Sequence, residues 1–138
     1  MVVIQRSDKR LLCGSESRDK FKRRHKDFAG NLYATDADLV LISKAPPGIV
    51  AYTDYKTEFD DVTFAEAICY NEWAKTHPVY LIIGRDPEQG PFDIWLYEGA
   101  DWRPEPPIVT KSHVLRCETW EALIAWEKQL RHSYSRLR

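Results

Sequence analysis

The sequence lacks the features that mark membrane, secreted and zinc-bound proteins. It has no apolar run of about 18 residues, the length that a transmembrane helix needs. Its N-terminal apolar stretch is too short for a secretory signal. The three cysteines, Cys13, Cys69 and Cys117, are isolated and odd in number, which argues against a zinc site and against a disulfide framework. We therefore expect a cytoplasmic protein with free thiols and no membrane partner.

Two further absences narrow the chemistry. The four histidines show neither the HxxxH spacing of a zinc site nor a His–Asp spacing that suggests a catalytic triad. The chain also has no internal repeat and no low-complexity segment. A length of 138 residues, with 43% hydrophobic and 30% charged residues, fits one globular domain spanning residues 1–138.

The net charge of −1 excludes binding to nucleic acid through overall basic charge, but the charges are unevenly distributed. The segment RDKFKRRHK, residues 18–26, lies in a predicted helix over residues 15–28 that has little apolar surface. One interpretation is a solvated helix, the usual fate of a charge run. The other is a surface that contacts phosphates without reading sequence. Its contact residues would be Lys20, Lys22, Arg23, Arg24 and Lys26.

The order of predicted elements gives the fold class. After the first helix, residues 32–57 read as a β-hairpin and residues 60–77 as a helix that Pro78 ends. Strands follow at residues 79–84 and 92–99, then a proline-rich connection with an edge strand, a short strand at 113–117, and a closing helix over 118–132. This order predicts an α/β (α+β) fold, a mixed sheet flanked by helices on both sides.

The helix over residues 60–77 is expected to pack through residues at helical spacing, namely Phe64, Ala65, Ile68 and Cys69. Asp60, Asp61 or Thr63 can cap its start. Tyr70 lies off this apolar stripe, so we expect it on the surface.

The stretch GIVAYTDYKTEFDD, residues 48–61, places charge inside an apolar strand. Asp54 and Lys56 share one face because side chains alternate along a strand. If the hairpin pairs as predicted, Asp38 lies beside Asp54, and two carboxylates at that distance repel one another. A hard divalent cation such as Mg²⁺ offsets this repulsion, because it binds one or two carboxylates together with water and phosphate oxygens.

An aspartate, a hairpin turn and then (Asp/Glu)-x-Lys at the end of an apolar strand resemble the PD-(D/E)XK nuclease superfamily. The match is Asp38, followed sixteen positions later by Asp54-Tyr55-Lys56, and it extends over roughly residues 15–98 through the order of elements. The sequence departs from the pattern at Ala37, where the motif has proline.

The resemblance implies a restriction-endonuclease-like fold and a metal-dependent nuclease of nucleic acid, with DNA favoured over RNA and the choice between them left open. It gives Asp38 and Asp54 the role of binding Mg²⁺ or Mn²⁺, and Lys56 the role of assisting attack of water on a phosphodiester. Asp36 stays open as the alternative metal ligand, and the first helix of the family often supplies a further acid, here Glu16 with Asp19 behind it. The helix after the lysine often lends the family's site a polar residue, so the resemblance implies that Tyr70 or Asn71 helps to hold the substrate. A homodimer would let so small a domain reach both strands of a duplex.

Three other interpretations remain. Asp54 and Lys56 can form a salt bridge on a solvated face of the sheet. The domain can be a non-catalytic module that binds nucleic acid or protein on the same fold. It can also be a different hydrolase that uses the same metal site.

Overall fold

The computed structural model describes the backbone of residues 39–137 and the side chains of residues 39–134. The strands in this range are β1 (Leu39–Lys44), β2 (Pro47–Thr57), β3 (Val79–Gly84), β4 (Phe92–Asp101) and β5 (Ile108–Cys117). The helices are α1 (Phe64–Trp73), between β2 and β3, and α2 (Trp120–Leu137), after β5. Neither of these two helices combines the length and the apolar character that crossing a membrane requires.

The five strands form one mixed sheet in the order β1-β2-β3-β4-β5. The hairpin of β1 and β2 is antiparallel, as are the β3–β4 and β4–β5 pairs, whereas β2 and β3 run parallel. A parallel pair needs a long crossover, and α1 supplies it. The mixed α/β fold predicted from the order of elements is therefore confirmed.

The two helices cover opposite faces of the sheet. Val79 and Leu81 of β3 belong to the core under α1, together with Val62, Ala67, Tyr70 and Tyr97. Ile82 belongs to the core under α2, together with Phe92, Ile94, Cys117, Leu123 and Trp126. Successive side chains of a strand point to opposite faces, so the prediction that β3 is buried on both faces is confirmed.

The buried side of α1 is not the predicted one. Phe64 is 38% exposed and Ile68 39%, whereas Ala67 and Tyr70 are both fully buried. The expectation that Tyr70 lies on the surface is wrong. Its ring makes an edge contact with Tyr97, with centroids 5.4 Å apart, and its hydroxyl donates to Glu66. A tyrosine can be buried in this way because its polar tip has a partner.

Several element boundaries also differ from the prediction, among them the end of α1 and the extent of β5. Helix α1 ends at Trp73, and the following residues form turns in which Thr76 N–H and His77 N–H both donate to the Trp73 carbonyl. At the other end of the sheet, β5 is one ten-residue edge strand rather than two short pieces. Its length follows from the position of the prolines, which precede the strand and leave its backbone donors intact.

Candidate active site

The candidate site begins at Asp54, in the second half of β2. This strand has a neighbour on each side, and Asp54 is 4% exposed. The preceding residue, Thr53, is 2% exposed and donates its hydroxyl to the Leu39 carbonyl over 3.1 Å. The start of β1 is thereby fixed against β2, directly beside Asp54.

Lys56 shares a face with Asp54, as the alternation of the strand predicted. Its Nζ lies 3.8 Å from Asp54 Oδ2, and the two side chains are 11% and 5% exposed. The predicted salt bridge is formed, but the expectation that it lies on a solvated face is wrong, because both groups are almost removed from water. An ion pair in this setting loses most of its hydration, which makes it costly unless further groups complete its hydrogen bonds.

Glu66 of α1 completes these hydrogen bonds. Lys56 Nζ donates to both of its carboxylate oxygens, at 3.0 Å to Oε1 and 2.9 Å to Oε2. The Glu66 carboxylate also accepts from the Thr63 N–H at 3.0 Å and from the Tyr70 hydroxyl at 3.3 Å. We call these three charged groups, Asp54, Lys56 and Glu66, the carboxylate–lysine cluster.

The start of α1 explains why Glu66 is so well placed. Thr63 is the N-cap and its hydroxyl accepts from the Glu66 N–H, while the Glu66 carboxylate accepts from the Thr63 N–H. This reciprocal pair is a capping box, and it fixes the side chain of the third helical residue. The loop from Thr57 to Thr63 is short, so the capped end of the helix lies over the strand that carries Lys56.

Glu66 is the site residue that the sequence interpretation missed. The signal was present in the four residues Thr63-Phe64-Ala65-Glu66, which fit the S/T-x-x-E pattern of a capping box. Thr63 was correctly named among the possible caps. The glutamate three positions later was not connected with the site, because the helix was expected to face the sheet through a different stripe.

Most of the other predicted site residues lie outside the described part of the chain. These residues are Glu16, Lys20, Lys22, Arg23, Arg24, Lys26, Asp36 and Asp38. The hairpin is described up to the pair of Leu39 with Thr53, and Asp38 and Asp54 are the next residues of the two segments in the sequence. Their roles, and the choice between Asp36 and Asp38, stay predictions.

Tyr70 and Asn71, the two residues of α1 proposed to hold substrate, have structural contacts instead. The Asn71 side chain donates to the Ala100 carbonyl and accepts from the Ala100 N–H, both at 3.1 Å. It also accepts from the Tyr97 hydroxyl, which anchors α1 to β4. Tyr70 is fully buried between α1 and the sheet, so its ring is out of reach of a ligand. It affects the site through its hydrogen bond to Glu66.

The negative charge of the cluster affects the pKa of the Cys69 thiol, one turn after Glu66. Burial raises the pKa of the Cys69 thiol, and the negative charges of Asp54 and Glu66 raise it further. The carboxylates therefore act on a neighbouring group outside the cluster. The Cys69 side chain is a reporter group on the edge of the site.

The donor set suits a hard cation such as Mg²⁺. Lys56 Nζ lies 2.9 Å from Glu66 but 3.8 Å from Asp54, so Asp54 is the carboxylate of the cluster that could ligate a cation. Mg²⁺ is typically held by one or two carboxylates, with water and phosphate oxygens completing its shell. Among residues 39–134 no group of three histidine, cysteine, aspartate or glutamate side chains is arranged to hold a metal ion. A site in which a single carboxylate holds Mg²⁺ together with water and phosphate oxygens does not need such a group.

Comparison with protein-family models, with curated proteins and with solved structures finds no match to this chain. The resemblance to the PD-(D/E)XK superfamily therefore depends on the motif residues and the order of elements in the sequence.

Proposed function

We propose that the chain is a divalent-metal-dependent nuclease that hydrolyses phosphodiester bonds, with DNA as the preferred substrate. The carboxylate–lysine cluster is its catalytic centre, and the fold is of the restriction-endonuclease-like kind. The observation that carries the proposal is the burial of two carboxylates and one ammonium beside a central strand. Such a cluster is costly to desolvate and adds little stability compared with apolar residues of similar size. A catalytic use accounts for it.

The contacts of Lys56 define its role. An ammonium has three N–H donors and no acceptor, so Lys56 can donate to a phosphoryl oxygen but cannot accept a proton from water. Glu66, held by Thr63 and Tyr70, keeps the ammonium in place. We assign Lys56 to the scissile phosphate, where it stabilises negative charge that develops during attack.

Asp54 would supply the oxygen ligand in the described part of the chain, and the family resemblance pairs it with Asp38. Glu66, whose oxygens accept from Lys56, Thr63 and Tyr70, holds the ammonium rather than the metal ion. When bound, Mg²⁺ supplies Lewis-acid polarisation of a phosphoryl oxygen. The shortage of water around Asp54 strengthens each electrostatic interaction made there.

The test is cleavage of labelled single-stranded, duplex and branched DNA, and of RNA, with Mg²⁺ or Mn²⁺. The variants are Asp54→Asn, Lys56→Met and Glu66→Gln, each close in shape to the original residue. We expect metal-dependent cleavage by the wild type and at least about a hundredfold loss in each variant, the usual effect of removing one transition-state contact.

A matched control is available near the same helix. Lys75 and Glu72 form an ion pair of the same length, 2.9 Å, but their side chains are 67% and 65% exposed. The variants Lys75→Met and Glu72→Gln should cleave like the wild type. Cleavage that survives Asp54→Asn and Lys56→Met would contradict the proposal, as would a wild type with no cleavage and no heat of Mg²⁺ binding.

The second candidate function is a non-catalytic module that binds a protein partner. A cleft of about 580 Å³ between the start of α1 and the β4–β5 connection favours it. Trp102 (42% exposed), Phe64 and three prolines contribute apolar lining, and Asp61, Arg103 and Glu105 contribute charges of both signs. Aromatic, partly charged grooves of this size bind extended peptides.

Calorimetry separates the two candidates. A nuclease should show heat of Mg²⁺ binding that Asp54→Ala abolishes. A binding module should show none, and its partner should be lost in Trp102→Ala while Asp54→Ala binds normally.

A further inference from the structure

A second charged region lies on the same face of the sheet as the carboxylate–lysine cluster. The strand register sets Lys56 beside Ile83, Ile83 beside Asp93, and Asp93 beside Arg116. These residues form a row across four strands, and side chains of directly paired residues point to the same face. Strands lie about 4.8 Å apart, so Asp93 is two spacings, roughly 10 Å, from Lys56.

A pocket of about 190 Å³ opens along this row. It begins at Glu58, two residues beyond Lys56, and extends over Ile83 to Arg116. Arg85 is its second cation and comes directly after β3. The pocket therefore starts one residue after the end of β2, the strand that carries Lys56.

Both arginines form ion pairs that are open to solvent. Arg85 Nε lies 3.0 Å from Glu58 Oε1, with side chains 75% and 40% exposed. Arg116 is shared between Asp93 at 3.2 Å and Glu118 at 3.0 Å, and is 50% exposed. Ion pairs that remain in contact with water contribute little stability. Either guanidinium can therefore exchange a carboxylate for a phosphate at small cost, and its planar fork suits two phosphate oxygens.

His113 reinforces this arrangement. Its Nε2 lies 2.9 Å from Asp93 Oδ1, so the Asp93 carboxylate already has a second partner besides Arg116. When Arg116 turns to an incoming anion, Asp93 keeps a hydrogen-bond partner in His113. The loss of one ion pair does not leave a carboxylate alone.

We propose that this pocket binds a backbone phosphate of the substrate strand, with Arg85 and Arg116 as donors, beside the phosphodiester that Lys56 contacts. The inference rests on the proposed function and specifies its substrate class. The substrate is a nucleic-acid strand that continues past the cleaved bond towards β5. Recognition is of the backbone, so it carries no sequence preference.

The experiment measures binding of a fluorescein-labelled single-stranded 20-mer DNA by fluorescence anisotropy at several salt concentrations, in Ca²⁺ and without cleavage. The variants are Arg85→Gln and Arg116→Gln. We expect each to bind about tenfold more weakly, the value of one hydrogen bond to a charged group. The slope of log K against log salt should fall by about 0.7 for each lost phosphate contact on a single strand.

Arg103→Gln is the matched control. Arg103 is 76% exposed and lies 3.5 Å from Asp101, an arginine–carboxylate pair like the others but outside the pocket. It should bind DNA like the wild type. Affinity and salt slope unchanged in Arg85→Gln and Arg116→Gln overturn the inference, and so does an equal loss in Arg103→Gln.

Two further readouts separate the possible explanations. Inorganic phosphate that binds the wild type and not the variants, while DNA affinity stays unchanged in the variants, means a site for free phosphate and overturns the substrate assignment. Failure of the nuclease proposal alone is distinguishable, because the wild type then does not cleave although Arg85→Gln and Arg116→Gln still lose DNA affinity. Cleavage by the wild type with unchanged affinity in the variants overturns the pocket alone.

Discussion

The strength of the Lys56–Glu66 pair is the most direct test of the site, because it can be measured without any substrate. Lys56 Nζ contacts both Glu66 oxygens at 2.9–3.0 Å, and the side chains are only 11% and 16% exposed. Removing one partner of a buried ion pair costs about 3–5 kcal/mol. We expect the lower part of this range, about 3 kcal/mol, for Lys56→Met, since some solvent reaches the pair.

A double-mutant cycle isolates the interaction. Glu66→Gln keeps the capping geometry and loses charge, so it should cost about 2 kcal/mol. In the double variant, neither the ammonium nor the carboxylate of the pair is left buried without its partner, so the two losses should not add. We expect a coupling energy of about 2 kcal/mol, within the range measured for residues in one network. Urea unfolding at pH 7, followed by tryptophan fluorescence, measures all four proteins.

The exposed pair Lys75–Glu72 provides the control cycle, because its 2.9 Å distance is the same and its solvent exposure is much greater. Its coupling should be about 0.3 kcal/mol, as for other exposed helix pairs. Additive losses for Lys56→Met and Glu66→Gln, within about 0.5 kcal/mol, would refute the reasoning. The cluster would then not be formed in solution, and the proposed catalytic role of Lys56 would lose its geometric basis.

Single side chains provide three further tests. Tyr97→Phe removes the hydroxyl that donates to Asn71 and should lower the free energy of unfolding by about 1–2 kcal/mol in urea, whereas no loss would show that the anchor of α1 is unimportant. Burial raises the pKa of Glu127, so its ionisation opposes folding as pH rises above the ordinary carboxyl range. Glu127→Gln should therefore raise the Tm at pH 7 and leave it unchanged near pH 4. The gain in the free energy of unfolding at pH 7 should be no more than about 1 kcal/mol, because solvent screens a half-buried charge. An equal shift at both pH values would contradict this cause. Alkylation of Cys69 by iodoacetamide at pH 8 should be slow and should accelerate in Glu66→Gln, because removing that negative charge lowers the pKa of the thiol. A rate unchanged or reduced would mean that the charge of Glu66 does not reach the thiol.

The strands were the part of the fold that the sequence predicted well. The hairpin of β1 and β2, and the buried strand β3, follow from apolar runs bounded by turn residues. Strand β5 was harder to predict because it is an edge strand, with most of its ten residues exposed, so no apolar pattern marks its extent. Only the position of the prolines defines where it begins.

The helix α1 shows why its buried side could not be predicted from hydrophobicity. Phe64 and Ile68 are strongly apolar residues of the helix and are both more than a third exposed. The buried side is instead Ala67 and Tyr70, a small residue that lets the helix approach the sheet and a large one whose hydroxyl has a partner. Packing against β3 and β4 decides this choice, and the partner strands are distant in sequence.

The same cause explains why two of the three cluster residues could be predicted and the third could not. Asp54 and Lys56 lie on one strand, and the period of two places them on one face without any knowledge of the fold. Glu66 joins them only because the helix is rotated to bury Tyr70, which brings the third helical residue over β2. A polar residue next to a misassigned stripe is assigned to solvent, although this one completes the cluster.

The carboxylate–lysine cluster is negatively charged and its geometry is fixed by the fold. Two carboxylates and one ammonium carry a formal charge of −1, and they lie where little water is available to stabilise it. Glu66 is saturated by Lys56, Thr63 and Tyr70, so its position is fixed by the fold before any ligand arrives. A cation that contacts the Asp54 side of the cluster therefore meets a preorganised negative site, and no side chain needs to be ordered for it to bind. Preorganised charge of this kind acts most strongly in a dry setting, which is the condition that catalysis by electrostatic stabilisation requires.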